Sequence, residues 1–239
     1  MLENNRKILC IGDSTSLPGH TNLYEDTWFC RLKENFPVFD FISLFRRSIT
    51  TEILVTEGGG DLLKEFPLGA DCLEFYKPTA IILQLGIVDC APRLLTNIDK
   101  VILKFLPNKI SNTYIKGIKF LKKRKVANTL VSLERFEENL RIYIERCTIA
   151  EVKTIILIGI PYPDERMIKK NPGIIFNIEK YNKCLLNFSE KYFSVKFINP
   201  LDSREYEQNI FADGYHPNPF GNNLVFQSLS DIINQAVMN

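Results

Sequence analysis

Three residues in the 239-residue chain have types and spacings that could do chemistry together. Ser14 follows an apolar run, "KILCIG", at the point where it breaks into small polar residues and a Pro-Gly turn. Asp213 and His216 stand three residues apart near the other end, in "FADGYHPNPFGN", a stretch rich in Gly, Pro and Asn. A serine hydroxyl is a weak nucleophile until a base takes its proton, and the base works only when a third group orients it. Asp213 could accept from one ring nitrogen of His216 while the other accepts the Ser14 proton. The order Ser, Asp, His along the chain is one of those known for this arrangement. Taken singly, each residue has a plainer reading: Gly-Asp-Ser is common in turns, and a lone histidine near a helix is more often structural. The combination carries the expectation.

Residues this far apart meet only if a scaffold brings them together. Apolar runs predict strands at Lys7–Ile11, Val38–Phe45, Thr79–Gly86, Lys153–Pro161 and, more weakly, Ser194–Pro200. The third and fourth are nearly all apolar, as in strands buried on both faces. Between them lie helical patterns. "EDTWFCRLKENF" has Asp26 as a candidate N-cap. "SLERFEENLRIYIERC" places Leu133, Phe136, Leu140, Ile144 and Cys147 on one stripe. "NIEKYNKCLLNFSEKY" follows, and a last helix runs from about Pro219 to Val237 with Val225, Leu229, Ile232 and Ile233 inward. Strands alternating with helices predict a single α/β/α domain, a three-layer sandwich around a parallel sheet of about five strands. In such a sheet ligands bind beyond the carboxyl ends of the strands. Ser14 lies just past the first strand, and Gly86 to Asp89 just past the third, so both open onto the same edge.

Composition narrows the function classes. Hydrophobic content of 45% and charge of 24% are those of an ordinary globular chain. No apolar run is long enough to span a bilayer. The opening "MLENNRKILCIG" lacks a signal-peptide core, so the expected compartment is the cytoplasm. The six cysteines form no C-x-x-C pair and are expected reduced and structural; with two histidines in the chain, no spacing supports a metal site. Net charge is +2, but the stretch Leu95–Val131 holds nine basic residues against Asp99 alone. This stretch breaks the alternation and reads as a helical insertion or lid, with Val101, Ile102, Phe105, Leu106 and Ile110 suggesting one helix and Ile118, Phe120 and Leu121 another. Its basic residues read first as a solvated face, then as a contact for an anionic substrate or a peripheral membrane contact. Nucleic acid ranks last, since no recognition motif accompanies the charge.

Other residues have plainer readings. His20 is an exposed loop histidine. Gly58-Gly59-Gly60 is a turn without a phosphate-binding pattern. Asp89 and Arg93, in "GIVDCAPR", either pair at the strand end or line the pocket, and these readings stand level.

The chain resembles the SGNH (GDSL-type) hydrolase family. "IGDSTS" at 11–16 is similar to its first block and "DGYHPNPFGN" at 213–222 to its last; "LQLGIVDC" at 83–90 resembles its third. "LFRRSITTEIL" at 44–54 fills the second more faintly, with Ser48 where the family usually has glycine. The resemblance implies a flavodoxin-like fold and a serine esterase without metal or organic cofactor. Ser14 is then the nucleophile, His216 the base and Asp213 the acid, and the backbone N–H groups of Ser14 and Ser48 bind the oxyanion. It implies a small acyl ester such as acetyl, and by family habit a carbohydrate-linked one. Two departures stand out. Ser48 for glycine keeps the backbone donor. Val88 occupies the position of an asparagine whose amide helps bind the oxyanion, and valine donates nothing. Arg46, Arg47, Thr50 and Thr51 are the candidate replacements; Arg46, Arg47, Asp89 and Arg93 are candidate substrate contacts. Two alternatives remain: an O-acyltransferase using the same serine, and a non-catalytic glycan- or ligand-binding protein that keeps the fold, for which Val88 is the best argument.

Overall fold

The opening run folds as a strand because its residues alternate between two apolar faces. Ile8 and Cys10 pack on one helical layer, and Leu9 and Ile11 on the other. The structure, a computed structural model, describes residues 6–19, 22–56, 71–92, 102–107, 110, 111, 113, 114, 117, 129–171 and 173–237. The strands are β1 (Arg6–Gly12), β2 (Phe39–Phe45), β3 (Ala80–Gln84), β4 (Thr154–Ile158) and β5 (Val195–Ile198), in the order β2-β1-β3-β4-β5. Every pairing is parallel, with Gly12 beside both Phe45 and Gln84 at the carboxyl edge. This is the flavodoxin-like doubly wound order, whose switch point lies at β1 and β3. Strands β3 and β4 are buried throughout. The third and fourth sequence-based strands overshoot because their apolar runs continue into buried loop residues such as Leu85 and Ile160, while the first stops one residue short of β1 at each end.

The described helices are α1 (Trp28–Asn35), α2 (Leu73–Tyr76), α3 (Ile87–Cys90), α4 (Leu133–Ile149), α5 (Glu165–Lys170), α6 (Ile174–Lys191) and α7 (Pro219–Ile232), the last loosening into a π turn over Ile233–Val237. One face of the sheet is covered by α3, α4 and α6, where Phe136, Leu140, Tyr143, Ile144, Ile178 and Leu185 are buried. The other is covered by α1 and α7, which contribute Trp28, Leu32, Val225 and Leu229.

Caps set where helices begin. Ser132 Oγ accepts from Arg135 N, and Asn218 Oδ1 accepts from Gly221 N ahead of Pro219 at the first helical position. The cap of α1 is Thr27, not Asp26. Thr27 has extended backbone and its hydroxyl accepts from Cys30 N, while the Asp26 carboxylate accepts from Leu23 N in the preceding turn. Helix α5 has no counterpart in the sequence pattern for a physical reason: none of its residues is buried, so it leaves no apolar stripe. Among the described residues no helix is long and apolar enough to cross a membrane. Most of the basic insertion expected at 95–131, together with His20 and Gly58 to Gly60, lies outside the described residues; within the insertion, 102–105 are helical.

Candidate active site

Ser14 opens a 3₁₀ turn, Ser14–Ser16, immediately beyond β1. The sheet ladder carries one residue past the strand, since Asp13 N donates to Gln84 O. Asp13 caps the turn, its Oδ1 accepting from the N–H and the hydroxyl of Thr15, each at 2.8 Å. Ser16 Oγ and Trp28 Nε1 both donate to Gln84 Oε1, at 2.6 and 2.9 Å. The turn is thus fastened to β3 and to α1. Gly12 allows it to pack so closely, since a Cβ there would collide with the Ser16 hydroxyl.

The second part of the site comes from the loop before α7. Asp213 Oδ1 accepts from Tyr215 N and His216 N, and Oδ2 lies 2.7 Å from His216 Nδ1. His216 Nε2 lies 2.9 Å from Ser14 Oγ, across 202 residues of sequence. With the Nδ1 proton assigned toward the carboxylate, Nε2 is left to accept from the serine. Burial opposes ionisation of Asp213, but bonds from the His216 ring and from the backbone of His216 and Tyr215 outweigh it and hold the carboxyl below its ordinary value.

What holds this loop is not visible in the sequence. Arg166 of α5 donates to the carbonyls of Ala212 and Phe211, at 3.0 and 3.1 Å, while its guanidinium is paired with Asp164. Asp164 N donates to Gly214 O, and Ala212 N donates to His216 O. Gly214 has φ of 121°, and a Cβ there would press on Met167 and Asp164, so the turn requires glycine. At the far end, Asn222 Oδ1 accepts from Trp28 N and ties α7 to α1. A polar cap residue such as Asp164 is the one available signal for α5.

The third part is the turn after β2. Arg46, Arg47 and Ser48 are exposed there, and Arg46 N donates to Gly12 O at 3.0 Å, bringing the turn beside the serine. Ser48 has φ of 62°, the left-handed region that glycine occupies freely and serine at a cost of about 1 kcal/mol. Among the described residues, neither Ser14 N nor Ser48 N donates to another group. Thr50 caps the following 3₁₀ turn. Thr51 is fully buried; its N–H and hydroxyl both donate to Asp89 Oδ1, at 2.9 and 2.6 Å, and its hydroxyl accepts from Asn139. Asp89 therefore lies beneath the site, holding the Thr51 turn. Arg93 lies outside the described residues. Val88, in α3, is half-buried.

Asp13 and Asp89 are fully buried, and each leaves its second oxygen without a partner among the described residues. Burial pushes Asp13 up to about 7, opposed by the Thr15 bonds and reinforced by the charge of Asp89. Burial pushes Asp89 up to about 6 against the bonds from Thr51. Between about pH 4 and about pH 7 the folded protein holds a proton at Asp13 that the unfolded chain has released. Stability therefore falls as pH rises through that window and stays lower above it. Asp13→Asn keeps an oxygen for Thr15 and removes the titration. It is expected to melt close to wild type near pH 4 and to be more stable at pH 8, by about 2–4 kcal/mol. Thermal melts at both values check this; a difference that ignores pH contradicts it.

No protein-family model matches the sequence, and comparison with curated proteins gives no match. Solved structures do match. The chain is similar to the psychrotrophic esterase EstA from Pseudoalteromonas sp., with TM-score 0.57 and 17% identity, covering 98% of this chain and 100% of that one. It is similar to a mutant form of an acetyl-xylooligosaccharide esterase, Axe2, from Geobacillus, with TM-score 0.57 and 16% identity over 95% of this chain and 94% of that one. A member of the lipolytic G-D-S-L family from Veillonella parvula matches with TM-score 0.56 and 14% identity over 96% and 98% of the two chains. The chain has the fold of the SGNH (GDSL-type) hydrolases, with the five-stranded parallel sheet expected for it.

Proposed function

We propose that this protein is a serine esterase that removes a small acyl group, such as acetyl, through an acyl-serine intermediate. The observation that carries the reading is the continuous chain from Ser14 Oγ through His216 to Asp213, closed across the whole length of the sequence. Ser14 Oγ attacks the ester carbonyl carbon as His216 Nε2 takes its proton. The carbonyl oxygen becomes an oxyanion, held by the N–H groups of Ser14 and Ser48. His216 then gives the proton to the departing alcohol as the carbon–oxygen bond breaks. Water repeats the sequence on the acyl-serine, with His216 again as base, and releases the acid and free serine. Asp213 holds the ring and balances the charge that forms on it.

The likeness to an acetyl-xylooligosaccharide esterase supports a carbohydrate-linked acetyl ester as the substrate class. Hydrolysis is favoured over transfer to a sugar hydroxyl because water reaches the site: the Asp213 side chain is 56% exposed and that of His216 28%. The test is turnover of a chromogenic acetyl ester by wild type and Ser14→Ala, each with and without a polyol. The expected product is free acetate whether or not the polyol is present, with no turnover by Ser14→Ala. An acetylated polyol as the main product would make the protein an acyltransferase, and equal rates in both proteins would overturn the reading.

A further inference from the structure

The geometry points to Tyr215 as a positioning residue that holds the imidazole of His216 and favours its charged form. The inference rests on the reading of His216 as the base and deepens it. The phenol ring lies against the imidazole with centroids 4.1 Å apart and planes inclined by 34°. An aromatic face at that distance attracts a cation through its quadrupole and has far less hold on a neutral ring. The contact therefore strengthens when His216 takes the serine proton, and an interaction that strengthens toward the transition state is the kind that raises turnover.

Neighbouring residues in an extended chain point to opposite sides, so their rings do not ordinarily meet. Here Gly214, at φ 121°, turns the chain just before Tyr215 and the two rings stack. The carboxylate does not support the imidazolium alone. Its side chain is 56% exposed, so water and salt screen it. Tyr215, by contrast, is half-buried and packs against the buried core cluster that includes Phe136 and Ile178. Among the described residues, the groups that face the ring assembly include Asp213 on its own loop, Ser14 from the turn after β1, and Arg166 and Asp164 from α5 and its cap. Arg166 and Asp164 offset each other in an ion pair of 2.6 Å. The phenol lies tilted against the base and carries no formal charge, and its removal leaves these neighbouring charges in place.

The test compares Tyr215→Leu and Tyr215→Phe. In Tyr215→Leu, kcat/KM on the plateau is expected to fall about 3- to 30-fold, and the acidic limb of the pH–rate profile to move to lower pH. Tyr215→Phe is expected to keep both, because the ring face remains. A second readout needs no turnover. The chain has two histidines, so in a His20→Gln background the ring proton signal of His216 stands alone in the NMR spectrum. It should titrate at lower pH in Tyr215→Leu than in the parent, with Tyr215→Phe following the parent. If Tyr215→Leu does not fold, Tyr215→Met fills the same space with a flexible chain and takes its place. An unmoved His216 titration overturns the inference, whether or not the plateau falls. Activity that survives His216→Ala would instead defeat the reading of the base, while the NMR titration would still decide whether the stack favours the charged ring.

Discussion

Ser14→Ala and His216→Ala are each expected to lower kcat/KM for an activated acetyl ester by about 10⁴- to 10⁶-fold, and the double variant to be no worse than either. The reason is that the two groups act as one unit. Without the hydroxyl there is nothing for Nε2 to deprotonate, and without the imidazole the hydroxyl 2.9 Å away stays protonated and weakly nucleophilic. What remains in all three variants is the pair of backbone N–H groups and substrate binding, and these set a common floor. Neither change should disturb the scaffold. The nucleophile's turn is held by Asp13, Ser16 and Gln84 rather than by the Ser14 hydroxyl. The His216 loop is held by Arg166, by Asp164 and by its own backbone. Steady-state rates with melting curves as the control test the point. Additive losses in the double variant would mean that the two residues work independently, contrary to the mechanism.

Val88→Asn is expected to raise kcat by about 10- to 100-fold with little change in KM. Removing an oxyanion donor costs on the order of 10²–10³ in turnover; installing one in a site not shaped around it should recover part of that. The change belongs in kcat because the donor meets negative charge that exists only after the hydroxyl has attacked. The surrounding frame is suited to receive it. Asp89 is anchored to Thr51, the Cys90 carbonyl accepts from Asn177, and Gly86 enters the turn at φ 122°. The other sequence candidates are less well placed to serve. Thr51 is buried and engaged with Asp89 and Asn139, and Thr50 is engaged as a cap. Arg46 and Arg47 lie on the exposed turn after β2. If Val88→Asn leaves kcat unchanged, two backbone donors suffice and the missing amide is no handicap.

The parts of the molecule that periodicity governs are legible in the sequence. The strands show as apolar runs because β3 and β4 are buried on both faces. Helix α4 shows as a stripe because Phe136, Leu140, Ile144 and Cys147 meet the sheet. Ser14, Asp213 and His216 show because loops beyond strand ends expose small polar residues in short runs. What stays hidden is the choice of partners. Asp89 reads in the sequence equally as a pocket residue or as an ion-pair partner of Arg93; only the fold turns it inward to Thr51, which lies 38 residues away. The Arg166 clamp sits on a six-residue helix with no buried face, so nothing periodic announces it. Asn139, a polar residue within the α4 stripe, is fully buried and donates to Thr51, and its place in the stripe is the one hint that the interior under the site is polar.

The central claim is that the hydroxyl of Ser14 is made nucleophilic by His216. Covalent labelling with a fluorophosphonate, followed by peptide mass spectrometry, tests it without any assumption about the natural substrate. One adduct is expected, on the peptide that carries Ser14, forming rapidly in wild type and at a small fraction of that rate in His216→Ala. Adduct formation at a different serine, or labelling of Ser14 that proceeds equally fast without His216, would contradict it.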